Sequence, residues 1–167
     1  SFFIGIAIGG YIAVHRNGIA NKIASGYIAI SGSIPDYLFA LLLVIVFGYT
    51  LKWFPTQNNY DAFTTTPGFN FPFIFSVLRH AFLPILAYSI VSIGSWILHM
   101  RGSAIGVLGE DYILAARARG LPEKIIRNKY VRKNALLPLI TMLGISFGSL
   151  FGGATLMESV FNYPGIG

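Results

Sequence analysis

In 167 residues, 54% hydrophobic and 15% aromatic side chains against 11% charged ones exceed what the core of a soluble domain of this size takes up. The solvent for much of the chain is therefore lipid. A net charge of +6 reads as membrane topology and attraction to anionic headgroups rather than as nucleic-acid binding, and zero cysteines exclude disulfides and thiolate metal sites.

The chain opens in an apolar run, SFFIGIAIGGYIAV, with no Met and no basic residue ahead of it, which reads as the tail of a span over about residues 1–14 rather than a signal peptide. Residues 34–54, IPDYLFALLLVIVFGYTLKWF, give the next expected span, with Asp36 and Lys52 near enough to its ends to snorkel and Trp53 at interface depth. No Asp, Glu, Lys or Arg falls between Arg79 and Arg101, or between Lys133 and Glu158, and each run approaches the ~20 residues a helix needs to cross hydrocarbon. Spans are expected over about 79–99 and 135–157. The fold class expected is an all-α polytopic helix bundle, a fragment with about four spans and with elements missing at both ends.

Basic loops resist translocation, so their distribution sets orientation. Segments 15–33 and 99–134 share a side and hold Arg16, Lys22, Arg101, Arg117, Arg119, Lys124, Arg127, Lys129, Arg132 and Lys133; the other side holds only Lys52 and Arg79. The segment 100–134 is thus expected to be cytoplasmic, and the loop PTQNNYDAFTTTPGFNFP and the terminal ESVFNYPGIG external.

Orientation needs only scattered lysines, yet EDYILAARARGLPEKIIRNKYVRKN is ordered. Glu110 and Asp111 place carboxylates at a helix N-terminus, YILAARAR favours helix, and Gly120 can take the left-handed conformation that stops it, predicting about eight helical residues. Pro122 then begins a second helical segment. Ala115, Ala116 and Ala118 allow close backbone approach, and Arg117 and Arg119 can pair with acids on another protein. On these features alone, docking to a protein and lying on the headgroups both remain open.

Within the spans, Gly144, Gly148 and Gly152 recur every four residues, with Gly153 beside them, and Gly5, Gly9 and Gly10 raise the same question near the start; such stripes serve helix packing or line a pathway. Pro84 and Pro138 fall inside expected spans, where a kink serves a gate or plain packing. Asp36, His80, His99 and Glu158 lie near span ends, so no midplane acid or histidine is available to couple transport to an ion gradient. No nucleophile and base pair stands out, His15, His80 and His99 are too scattered to hold a metal, and no Gly-Lys pair exists to form a phosphate loop.

The motif Asp111 to Thr141 resembles the cytoplasmic signature loop of ABC-importer permeases, specifically the dipeptide, oligopeptide and nickel permease family. The Asp-Tyr is Asp111-Tyr112, the Ala-Arg-Ala-Arg-Gly-Leu core is Ala116 to Leu121, and the Arg-Asn-Ala-Leu-Leu-Pro end is Lys133 to Pro138, with Lys in place of Arg. The closing stretch is similar to the family's Gly-Gly and Glu-x-x-Phe-x-x-Pro-Gly-x-Gly segment through Gly152, Gly153, Glu158, Phe161, Pro164, Gly165 and Gly167, and residues 33–55 resemble its Ser-Ile-Pro span. One departure is Leu114, where the broader permease signature has Glu, together with a longer spacing to Leu137-Pro138, so no role is carried over for that acid.

The resemblance implies a permease subunit that is not itself an enzyme, seated in a prokaryotic cell membrane, paired with a second, homologous permease. Two cytoplasmic ATPases would bind ATP and Mg, this chain holding no cofactor, and an extracytoplasmic binding protein would deliver substrate. The ATPase-coupling residues it implies are Asp111, Tyr112 and Ala115 to Leu121. Small peptides are the implied substrate, nickel chelates, glutathione and sugars being carried by relatives of the same scaffold. Uncharged Ser89, Ser92, Ser95, Thr141, Ser146 and Ser149 among apolar residues fit a pathway that passes side chains of every chemistry.

The charge distribution makes a direct prediction: a reporter fused near Asn128 should behave as cytoplasmic and one placed within residues 58–62 as external. The reverse pattern would overturn the assigned sides.

Overall fold

The computed structural model describes residues 1–15, 17–150 and 155–165, which are mostly helical with no strand among them. The expected all-α architecture is thus present. In chain order the helices are α1 (Phe2–Val14), α2 (Ile19–Ser33), α3 (Asp36–Leu43) continued by π-helical turns Val44–Thr50, α4 (Phe71–Leu108), α5 (Asp111–Ala118), α6 (Glu123–Ile125) continued by π-helical turns Ile126–Val131, α7 (Arg132–Leu150) and α8 (Thr155–Val160). They form two compact units, Ser1–Ser33 with Ser92–Phe147, and Ile34–Val91 with Gly148–Gly167.

The helix limits differ from the expected spans in instructive ways. Only α4 is by itself long and apolar enough to cross a membrane among the described residues; α2 and α3 with its π turns meet that test only as a bent pair, and α1 is shorter. Helix α4 has 38 residues rather than the expected 79–99, because Arg79 and Arg101 are carried on the helix instead of ending it. Asn70 opens it, its Oδ1 accepting the Phe73 N–H at 2.9 Å. Residues 15–33, expected as a loop, contain the whole of α2. Its polar residues lowered its apolar signal without removing its helical one. The 34–54 segment is helical only from Asp36, after Pro35, to Thr50, and Lys52 then takes a positive φ of 56°.

In the first unit α1 packs on the C-terminal half of α4 through glycine. A Cβ at Gly5 would collide with Trp96, and one at Gly9 would stand 2.6 Å from the Ile97 carbonyl oxygen and 2.8 Å from the Met100 Cβ. Both positions answer the question raised by the N-terminal glycines: they serve close packing inside this chain. Helix α2 joins through Ala24, which is buried with Ile12 and Ile97, and a Cβ at Gly94 would collide with Ser31. The guanidinium of Arg101 donates to Ser25 Oγ at 2.9 Å, tying the two basic segments 15–33 and 99–134 together. The Ser103 hydroxyl donates to the Ala135 carbonyl at 2.8 Å, close to the turn of α7 where Pro138 supplies no N–H.

In the second unit Ala40, Leu43 and Val44 pack with Leu83, Ala87, Met157 and Phe161. Phe54 stacks on Phe82 at 4.5 Å, and Arg79 Nη2 donates to the Trp53 carbonyl at 3.1 Å. The loop before α4 folds around Asp61, whose carboxylate accepts the Thr64 hydroxyl at 2.8 Å and the Phe63 N–H at 3.0 Å. These bonds, the Thr64 hydroxyl first, hold the Asp61 carboxyl below the usual carboxylate range.

The two sets of glycines should therefore respond oppositely. Gly9→Leu overpacks the α1–α4 contact and should destabilise by about 1–3 kcal/mol. No described atom lies within 4 Å of a Cβ placed at Gly144, so Gly144→Ala should leave stability unchanged or raise it by up to about 1 kcal/mol through helix propensity. Thermal unfolding of the detergent-purified protein distinguishes them, and equal losses would contradict this packing.

Candidate functional site

The ordered basic segment builds a small helix with a defined inner and outer face. Glu110 enters in extended conformation (ψ 145°), and the eight-residue helix that follows begins with Asp111, whose carboxylate lies in the first turn. The end is a Schellman motif: the Leu121 N–H donates to the Ala116 carbonyl at 3.2 Å and the Gly120 N–H to the Arg117 carbonyl at 2.9 Å, with Gly120 at φ 75°. A Cβ at Gly120 would meet nothing within 4 Å, so glycine is required there for its conformation and not for space.

Ile113 and Ala116, three residues apart and hence on one face, are buried at 0% and 4% exposure in a cluster with Ala13 of α1, Met100 and Ala104 of α4, Ile126 and Val131 of the π turns, and Ala135 and Leu139 of α7. Leu121 packs against the same cluster, the apolar contact that accompanies this type of helix end. The outer face carries Asp111, Tyr112, Leu114, Ala115, Ala118 and Arg119, all exposed.

This geometry refines two expectations. Ala116 faces the chain's own core, so close approach to another molecule is left to Ala115 and Ala118. Arg117, expected to pair with an acid of another protein, donates instead through Nε to Glu123 at 2.8 Å, clasping α5 to α6 across the Gly120 corner. Arg119 retains an exposed position for outward pairing. Ile113 was not singled out from the sequence, although its spacing from Ala116 and Leu121 was the available signal.

The closing motif forms a corner in the second unit. Phe161 is buried at 2% exposure in that unit's core, the Tyr163 N–H donates to the Glu158 carbonyl at 2.9 Å, and a Cβ on Gly165 would displace the Glu158 carboxylate. Pro164 is exposed beside it. Glu158 and Phe161 thus act first as structure. Gly152, Gly153 and Gly167 lie outside the described residues, and a Cβ at Gly144 or Gly148 would meet no described atom within 4 Å. Among the described residues no group of three His, Cys, Asp or Glu side chains could hold a metal ion.

The family model for "Binding-protein-dependent transport system inner membrane component" matches residues 5–167. A Brucella ovis protein named, provisionally, as a peptide permease is 37% identical over 164 residues, covering 98% of this chain and 50% of that protein. The glutathione transport system permease proteins of Pectobacterium atrosepticum and Escherichia coli strain K12 are each 35% identical over 164 residues, covering 98% of this chain and 48% of theirs. The chain spans about half the length of the curated relatives it matches. Together with an all-helical architecture containing a helix long and apolar enough to cross a membrane, these matches establish that the chain belongs to the binding-protein-dependent transport system inner membrane component family, the permeases of ABC importers of the peptide type.

Proposed function

We propose that the chain is part of a permease subunit that moves small peptides inward across the prokaryotic cytoplasmic membrane, with α5 receiving the driving motion from a cytoplasmic ATPase. The observation that carries this reading is the division of α5 into a buried face, Ile113 and Ala116 against α1, α4 and α7, and an exposed face, Tyr112, Leu114, Ala115, Ala118 and Arg119. A helix so seated moves with the membrane helices beneath it when its outer face is pushed. ATP and Mg belong to two partner ATPases in this reading. A second, homologous permease completes the pathway, and an extracytoplasmic binding protein delivers the substrate. The peptide and glutathione transport names of the relatives support peptides as the cargo, and the family description supports the membrane location and the binding protein.

The exposed face gives the cleanest test. Ala118→Trp leaves the buried face intact, so the complex should assemble with unchanged thermal stability. Its substrate-stimulated ATP hydrolysis should fall about tenfold, the effect of losing about 1.4 kcal/mol of docking free energy. Gly120→Val should cost roughly 1–2 kcal/mol of local stability through its positive φ and lower coupling as well. Normal coupled hydrolysis in both variants would remove the role assigned to α5. Reconstitution of the full permease with its partners should show uptake of di- to oligopeptides. Uptake of nickel or a sugar without peptide would sink the peptide reading while leaving the importer standing.

A further inference from the structure

A groove of about 300 Å³ lies between α1, α4, the π turns Ile126–Val131 and the first turn of α7. Its lining is mainly apolar, with Ile6 and Met100 buried at 7% and 1% exposure, while Arg127, Arg132, Asn128 and His15 also line it and, among the described residues, no carboxylate does. Among the described residues neither arginine makes an ion pair or a side-chain hydrogen bond. His15 donates from Nδ1 to the Tyr11 carbonyl at 3.1 Å and stacks on the Tyr11 ring at 4.4 Å, which leaves Nε2 as its position for a ligand. Ile4, Ile8 and Tyr11 of α1 are 52%, 37% and 55% exposed, and their i, i+4, i+7 spacing sets them on one apolar stripe of the helix, of which Tyr11 lines the groove.

Arg127 is half-buried beside apolar surface, an arrangement that calls for an anion, and its planar fork suits the oxygens of a phosphate. A ligand that supplies both a phosphate for the arginines and a hydrocarbon chain for the stripe is a phospholipid, and with two guanidinium groups and no carboxylate lining the groove an anionic headgroup fits better than a zwitterionic one. We propose that this groove is a binding site for an anionic phospholipid of the cytoplasmic leaflet, its phosphate held by Arg127 and Arg132 and an acyl chain laid along α1. The proposal rests on the assignment of residues 99–134 to the cytoplasmic side. Charge complementarity favours lipid over an apolar protein segment, which would leave both guanidinium groups unpaired. Arg127 also lines a second cavity with Arg117 and Glu123, so the bound headgroup would stand next to the clasp that holds α5.

The test uses the intact importer complex, stripped of lipid in detergent and exposed to vesicles of phosphatidylglycerol or phosphatidylcholine, with retained lipid measured by mass spectrometry. Phosphatidylglycerol should be retained in preference, should not be displaced by millimolar inorganic phosphate, and should fall about fivefold for each charge removed in Arg127→Gln and Arg132→Gln. Lys124→Gln, outside the groove, should retain it normally. Equal retention of both lipids, displacement by inorganic phosphate, or undiminished retention in the double variant would overturn the site. A photoactivatable phosphatidylglycerol on the wild-type complex gives an answer that needs no variant: label should fall on α1 or on residues 126–132. Label confined elsewhere, as when another segment of the complex fills the groove, refutes the proposal. Failure of this test leaves the transport reading untouched, because coupled hydrolysis is measured separately.

Discussion

The structure depends on the burial of two small patches of α5, Ile113 and Ala116, in a cluster to which α1, α4, the π turns and α7 all contribute. Burial makes the small helix an extension of the helices beneath it. Removing the Ile113 side chain would leave a cavity of the kind that costs about 2–5 kcal/mol when Ile becomes Ala. Close packing matters here for a mechanical reason. Closely packed side chains have low compressibility, so in the proposed coupling a displacement of α5 would be passed to α4 and α7 rather than absorbed. The Schellman end at Gly120, the Leu121 contact and the Arg117–Glu123 pair fix the orientation of α5. The ion pair is exposed and contributes modestly, so the apolar contacts dominate.

A second constraint is how closely backbones approach. Gly5, Gly9 and Gly94 stand where a Cβ would strike the neighbouring helix, and they hold α1 and α2 to the C-terminal half of α4. With the Arg101–Ser25 bond, they keep the base on which α5 rests as one unit. Gly144 and Gly148 follow the same spacing, yet a Cβ there would meet nothing within 4 Å among the described residues. Spacing therefore does not by itself distinguish a glycine that packs inside the chain from one that does not; the difference lies in whether another helix passes there.

Local features were legible in the sequence and non-local ones were not. The eight residues of α5, its acidic start and the left-handed Gly120 follow from propensity and backbone sterics within a short window, and they form as read. The inward face of α5 depends on helices distant in sequence, so the sequence alone neither separates Ala116 from the exposed Ala115 and Ala118 nor marks Ile113. Glu123, six residues beyond Arg117, comes within reach only because the chain turns at Gly120. Helix α2 was hidden because Asn21, Lys22 and a series of Ser and Gly residues dilute its apolar pattern. Within 34–54 the helix is shorter than the apolar run, because Pro35 at one end and the positive φ of Lys52 at the other override composition. Phe161 and Gly165 were found by their motif, yet their packing in a corner became visible only with the fold.

In the proposed function α5 turns one face, Ile113 and Ala116, to its own chain and the other to a partner. The absence of native cysteines makes this chain suited to a single-position measurement. Ala118→Cys and Ala116→Cys, each introduced alone into the assembled complex, should differ in crosslinking to the ATPase subunit by a short thiol-to-amine reagent. A strong crosslink from position 118 and none from position 116 is the predicted result. A crosslink from 116 but not from 118, or labelling of position 118 by a membrane-impermeant reagent applied from outside intact cells, would contradict the account.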